Sequence, residues 1–328
     1  MKKNLLVIVS FCMLTACHNA PQSSGINLAD LDTTAVAQND FYQFACGGGM
    51  KNNPLPGEYS RFGTFDQLGL NNLEQVNGLI QELGAGEYAH GTIEQKIGDM
   101  YKLAMDSARR DQEGIEPIRH SIEKIDAISD KSELSSFLGR SLECGFFALY
   151  VEADAMNSSM NILNECQAGF ALGQKEYYLD TDEQTLAIRA AYLKHIENMF
   201  ALYGYIDGDQ AAQIVMRLET RLAKAALNNV ELRDPVANYN KMSIDELKSL
   251  VPQLNWDAFF AAMDIHTDSL SVGQIRHLQE VGKMIEEEPL CDLKTFFTWQ
   301  VLDGAANYLS TDLFNEHFAF YGKTLRAL

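Results

Sequence analysis

Basic residues are scarce in this chain. Lysine and arginine number 26 against 45 aspartates and glutamates, for a formal net charge of −19 over 328 residues. Such a surplus of carboxylates repels phosphates, which excludes nucleic acid as a partner and points to a well-solvated surface. A bilayer span is missing too. Crossing takes about 20 apolar residues, and the apolar stretch "LLVIVSFCMLTA" at 5–16 is shorter. Several chemical signatures are absent. No C-x-x-C exists, and the closest two of the seven histidines, His266 and His277, are 11 apart. An H-E-x-x-H zinc helix needs two histidines four apart on one face, so it cannot form here. There is no G-x-S-x-G nucleophile elbow. Gly322–Thr324 ("GKT") is no phosphate loop, because His317 stands where the earlier glycine belongs. Gly47, Gly48 and Gly49 lack a G-x-G-x-x-G frame and read as a tight backbone turn. His195 near Glu197, and Glu316 beside His317, read as surface or capping neighbours.

The N-terminus carries a positive signal. Lys2 and Lys3 precede the apolar run at 5–16, which has signal-peptide length and ends Leu14-Thr15-Ala16-Cys17. That ending is a bacterial lipobox. The expectation is a lipoprotein signal peptide at 1–16, lipid on Cys17 and a flexible polar tether at 17–35. The mature chain would then be lipid-anchored in the cell envelope, on the periplasmic or extracellular side, and meet the membrane through its lipid.

Beyond the tether the fold reads as mainly α with a small β-hairpin element. Leu68, Leu70, Leu73, Val76, Leu79, Ile80 and Leu83 give residues 67–83 one apolar helix face. Thr92 with Gln95 and Ser243 with Glu246 read as capping boxes. Helices are expected at 115–128, 132–143, 183–204 and on to about 227, with a break at Gly204–Gly208 and Asp207 or Asp209 capping. More are expected at 256–263, 271–288, 292–308 and 311–320. "FFALYVEAD" and "MNILNECQAGF" around "AMNSS" read as two short strands.

The stretch "DFYQFACGGGMKNNPLPGEYSRFGTFDQL" resembles the N-terminal signature of the neprilysin-like zinc endopeptidases, which include the bacterial oligopeptidase O group. The matching residues include Asp40, Phe41, Tyr42, Cys46, Gly47, Gly48, Asn53, Pro54, Ser60, Arg61, Gly63 and Phe65. "EYYLD" (176–180), "NVELRDPVANYNKMSIDEL" (229–247) and "FAFYGKTL" (318–325) resemble later segments of that family in the same order. Gly49 departs from the family's tryptophan and Gly173 from its proline.

The resemblance implies a two-lobed, multi-helix metallopeptidase enclosing a cavity. Residues 36–328 would be its N-terminal region, with 36–80 docking on the catalytic lobe. Residues 85–300 would form the helical covering lobe, and 301–328 would return toward the catalytic lobe. It implies zinc in the complete enzyme and none bound by this chain, and short peptides as substrates. The family's H-E-x-x-H, its glutamate ligand and its N-A-[YF]-Y motif lie past residue 328. The expectation is therefore an inactive part, from a truncated gene, a split gene completed by a separately encoded catalytic half, or a fragmentary sequence. A non-catalytic envelope lipoprotein that binds peptides or a partner is the alternative. Catalytic and metal residues are none, and Glu176 with Asp180 is a decoy for E-x-x-x-D.

By the same resemblance Arg61 would meet the substrate's C-terminal carboxylate, a geometry a guanidinium fork suits. A salt bridge from Arg61 to Asp66 is the structural alternative. At Arg233-Asp234-Pro235, Asp234 is expected to cap a turn, with Arg233 paired to Asp234 or Glu231; the functional alternative has Arg233 facing the cavity. The family partner of Cys46 is not in this chain. Among the four cysteines beyond the lipobox, which allow three full pairings, Cys144 with Cys166 is the local candidate for a disulfide.

Overall fold

The computed structural model describes residues 25–57, 59, 61–141 and 143–326. The expected signal peptide and Cys17 lie outside these residues. The chain divides into two compact units, up to Lys102 and from Leu103 onward.

The first unit is built on glycine. Helix α1 (Phe41–Asn52) is capped by Asp40, which accepts from Gln43 N. Gly47, Gly48 and Gly49 are therefore helical, and the turn expected there is not made. What they allow is close approach. A Cβ on Gly48 would collide with the carbonyl oxygens of Ala29 and, at 2.7 Å, Leu31. The 28–32 segment lies against this bare face. Gln43 Nε2 donates to Asp32 Oδ2 at 2.8 Å, and Asn52 Nδ2 donates to Ala29 O at 3.2 Å. The hydroxyl of Thr34 and the amide of Gln43 draw the Asp32 carboxyl down to about 2.

Helix α2 (Thr64–Ala85) starts where Asp66 Oδ2 accepts from Gly63 N at 2.8 Å. It meets α3 (Ile93–Met105) through Gly84 and Gly98, both buried. A Cβ on Gly98 would lie 2.5 Å from Leu83 O, so the two backbones touch. The expected apolar face of α2 exists, yet it is bare: Leu68, Leu73, Val76 and Leu79 are all exposed, as is Phe65 at the helix start.

The second unit continues with α4 (Ser107–Glu113), α5 (Arg119–Asp126) and α6 (Leu134–Arg140). A hairpin follows, β1 (Phe147–Asp154) with β2 (Asn157–Gln167), then the single turn α7 (Glu176–Leu179). Long helices α8 (Glu183–Tyr203) and α9 (Gly208–Ala225) come next, then β3 (Lys241–Ser243), α10 (Ile244–Leu250) and α11 (Trp256–Ala262). Strand β4 (Ser269–Val272), α12 (Ile275–Glu287), α13 (Leu290–Ala305) and α14 (Thr311–His317) complete it, with a π-helical segment at Phe318–Thr324. Gly204 takes φ +93° to end α8, a left-handed cap that frees the chain to turn into α9. Ser243 and Glu246 form the expected capping box.

The sheet runs β1-β2-β4-β3, with β2 and β4 parallel and the other two pairs antiparallel. Strand β4 corrects the helix expected from 271. Leu270, Ser271 and Val272 are all buried between neighbouring strands, and the helix begins only at Ile275. An apolar run of four residues carries no period that separates strand from helix. Trp256, Trp299, Tyr192, Phe146, Phe200, Phe296 and Phe297 are the bulkiest members of the core beneath.

Candidate functional site

Two of the family-like segments of the second unit, at their Glu176 and Asn229–Leu232 ends, border a groove of about 290 Å³. Its walls are the strand exit at Gln167–Phe170, the stretch Gly173–Glu176, the Leu227–Leu232 loop and Gln274. Backbone and amide groups assemble it. Gln167 acts as a bracket: its Oε1 accepts from Leu227 N at 2.9 Å and its Nε2 donates to Leu227 O at 3.2 Å. Its own backbone N–H donates to Gln274 Oε1, and Gln274 Nε2 donates to Asn238 Oδ1 at 3.0 Å. Lys175 Nζ donates to Ala226 O. Gly173 sits at φ +83°, a backbone proline cannot adopt, so the departure from the family's proline has a local structural consequence.

The R-D-P segment forms one wall's continuation. Asp234 Oδ1 accepts from Val236 N and Ala237 N, the capped turn expected there. Arg233 is exposed and has no ion pair among the described residues, which corrects its pairing to Asp234 or Glu231. Glu231 instead accepts from Asn228 N. Further on, Tyr239 OH and Lys241 Nζ both reach the buried carboxylate of Asp154, at 2.7 and 2.8 Å. These donors, led by Lys241, hold Asp154 down at about 2. They pin the 231–241 loop to the hairpin.

Two buried carboxyls escaped sequence reasoning. Glu165 on β2 has neither oxygen hydrogen-bonded among the described residues. Burial pushes it up to about 8, although the backbone N–H groups of Gln274 and Gly273 lie close enough to lower it in part. Glu219 on α9 accepts from Tyr178 OH at 3.0 Å and Tyr192 OH at 3.1 Å. Those hydroxyls accept in turn from Leu172 N and Trp299 Nε1. Burial outweighs both donors and lifts Glu219 to about 8. The second tyrosine of "EYYLD" is thus a core anchor. A signal was available: Ala212, Val215, Glu219 and Ala223 share one helical stripe, with a carboxylate where an apolar residue is due.

The histidines also moved inward. His195, read as a surface or capping residue, is buried. Its ring stacks on Phe320, and its Nδ1 lies 3.1 Å from Glu316 Oε1. Its Nε2 is 3.6 Å from Asp303 Oδ1, and His317 Nε2 is 3.9 Å from the same oxygen. Tyr321 OH donates to Asp303 Oδ2. His277 is buried as well and pushed down to about 4.

A zinc site does not fit these residues. Among the described residues no three His, Cys, Asp or Glu side chains are placed to hold a metal ion. Asp303 and Glu316 are instead bonded to Tyr321, His195 and Asn198.

In the first unit Arg61 is exposed and forms no ion pair among the described residues. Asp66, its structural alternative, caps α2. Cys46, Cys144, Cys166 and Cys291 are free thiols, which corrects the local disulfide. The ladder sets Cys166 opposite Ala148, four residues along from Cys144. Cys144 itself lies ahead of the strand, which begins at Phe147. Cys144 contacts Ser141 Oγ at 3.1 Å instead.

The profile of Peptidase family M13, covering that family's N-terminal region, matches residues 37–327. The chain belongs to peptidase family M13. It is similar to endothelin-converting enzyme 1 of Rattus norvegicus, 27% identical over 317 residues, covering 91% of this chain and 40% of that protein. Endothelin-converting enzyme-like 1 of Mus musculus is 26% identical over 303 residues, covering 86% and 39%. The crystal structure of Mycobacterium tuberculosis zinc metalloprotease Zmp1 with an inhibitor superposes with a TM-score of 0.81 at 29% identity, covering 92% of this chain and 47% of that one. PepO from Lactobacillus rhamnosis shares the fold at a TM-score of 0.68 and 22% identity, covering 87% and 46%. This M13 chain therefore spans about two-fifths of its curated relatives and just under half of the solved ones.

Proposed function

We propose that this chain supplies the N-terminal part of an M13 zinc metalloendopeptidase that cleaves short peptides, and that zinc and catalysis belong to a catalytic part whose zinc motif these 328 residues do not contain. The observation that carries the reading is the family match over 37–327 in a chain whose sequence has no H-E-x-x-H. The relatives named as an endothelin-converting enzyme and a zinc metalloprotease support the activity. Residues 85–300 act as the covering lobe, 301–328 return toward the catalytic lobe, and 36–80 dock on it. The bare apolar stripe Phe65, Leu68, Leu73, Val76 and Leu79 suits such docking, since a continuous exposed apolar face marks an interaction surface. Arg61, exposed just ahead of that helix, is left to receive a peptide carboxylate. Cys17 carries the lipid that holds the protein in the cell envelope.

Catalytic zinc needs three protein ligands and a base for its water. The isolated chain, incubated with zinc and a quenched fluorescent peptide, is expected to leave the peptide intact. Hydrolysis abolished by a chelator would overturn the reading. A catalytic half, in cis or separately encoded, is expected to restore cleavage. Replacing Leu73 and Val76 by serine is expected to weaken that restoration and reduce self-association of the isolated chain. Unchanged complementation would remove α2 from the docking surface.

A further inference from the structure

A second cavity, about 690 Å³ and unrelated to the groove above, opens between α5, α6 and the start of the hairpin. Its floor is apolar, with Ile125, Ile128 and Phe137 contributing. Its mouth is charged. Lys124 and Arg140 line it from α5 and the end of α6, and Glu143 lines it from the loop that follows. All three are exposed, and none has a hydrogen bond or ion pair among the described residues. Glu133, also on the wall, already accepts from Ser129 N.

Two cations and one carboxylate, none paired among the described residues, thus line the same cavity. An apolar floor with a few convergent polar groups, in the size range of about 300–1,000 Å³, is the form of a small-molecule site. Cations and an anion at the same mouth select a ligand bearing both charges.

We propose that this cavity binds a small zwitterion with apolar side chains, of the size and charge of an apolar dipeptide. Lys124 and Arg140 take its carboxylate, Glu143 takes its ammonium, and the side chains rest on Ile125, Ile128 and Phe137. The site lies wholly within residues 103–328 and uses no metal. Its failure would leave the peptidase reading intact, and failure of that reading would leave the site intact.

Calorimetric titration of the purified protein with Leu-Leu, N-acetyl-Leu-Leu and Leu-Leu-amide tests it. The free dipeptide is expected to bind. Capping either end should weaken binding tenfold or more, a change of about 1.4 kcal/mol. In the double variant Lys124→Gln/Arg140→Gln the penalty for amidation should vanish while that for acetylation persists. In Glu143→Gln the reverse is expected. These side chains are exposed, so a thermal melt matching the wild type establishes folding. No binding at millimolar dipeptide, equal binding of all three probes, or variants that leave the preference unchanged would each overturn the proposal.

Discussion

Substituting Glu219 by glutamine should change how stability depends on pH. Glu219 has a folded value of about 8 against an ordinary 4.5, with burial the leading cause. Between those values the folded protein holds a proton that the unfolded chain has released, so stability falls as pH rises. The contribution is fully present below about 4.5 and is lost by about 8. Each pH step within that window is worth about 1.4 kcal/mol, so the whole effect is roughly 5 kcal/mol at most. Glu165 has the same sign and window, whereas His277, pushed down to about 4, and His317, also lowered by burial, add stability as pH rises toward 6.5, so the two glutamates dominate the decline only above pH 7. Glutamine cannot ionise and still offers an acceptor to one tyrosine and a donor to the other. Urea unfolding of wild type and E219Q at quarter-unit steps from pH 7 to 8, above the range in which the unfolded histidines titrate, measures the slope. E219Q should decline about half as steeply, and the double variant with Glu165→Gln should be nearly flat. Equal slopes for wild type and E219Q, or stability rising with pH in the wild type over this range, would refute the assignment of a proton to Glu219.

Gly48→Ala forces its Cβ into the carbonyls of Ala29 and Leu31, and overpacking of this kind costs about 1–3 kcal/mol. Hydrogen exchange should quicken across residues 28–48 while protection of α8 and α9 is unchanged; uniform protection throughout would contradict the close approach. Thiol labelling at neutral pH should modify exposed Cys291 first and Cys144 last, because burial lifts the Cys144 thiol to about 11 and starves it of thiolate. Peptide mapping that recovers a Cys144–Cys166 disulfide would disprove the free thiols.

Long elements were legible because their signals are local and repeated. Residues 67–83 and 183–204 follow a helical period over several turns, and the structure has α2 and α8 there. The hairpin was legible through its β-branched and aromatic runs around a polar turn. Strand β4 was not, because four residues carry no period and its partner β2 lies about a hundred residues earlier. Gly47–Gly49 looked like a turn because glycine permits many backbones. Only the 28–32 segment packed against α1 shows that the absence of a side chain, not a left-handed φ, is what matters.

The helical class, the family and the lack of an H-E-x-x-H were legible before any folding. Each rests on residue order alone: a period, an ordered set of motifs, a missing spacing. Tertiary structure decided which charges are buried. Glu219 and His195 sit on helices whose sequence leaves their depth open. Tyr178 and Tyr192 enclose the first, and Phe320 and Glu316 the second, from elements up to about 120 residues away. The protonation of a carboxyl follows the solvent it loses and the donors it gains. Both are properties of the packed neighbourhood, which no single stretch of chain contains.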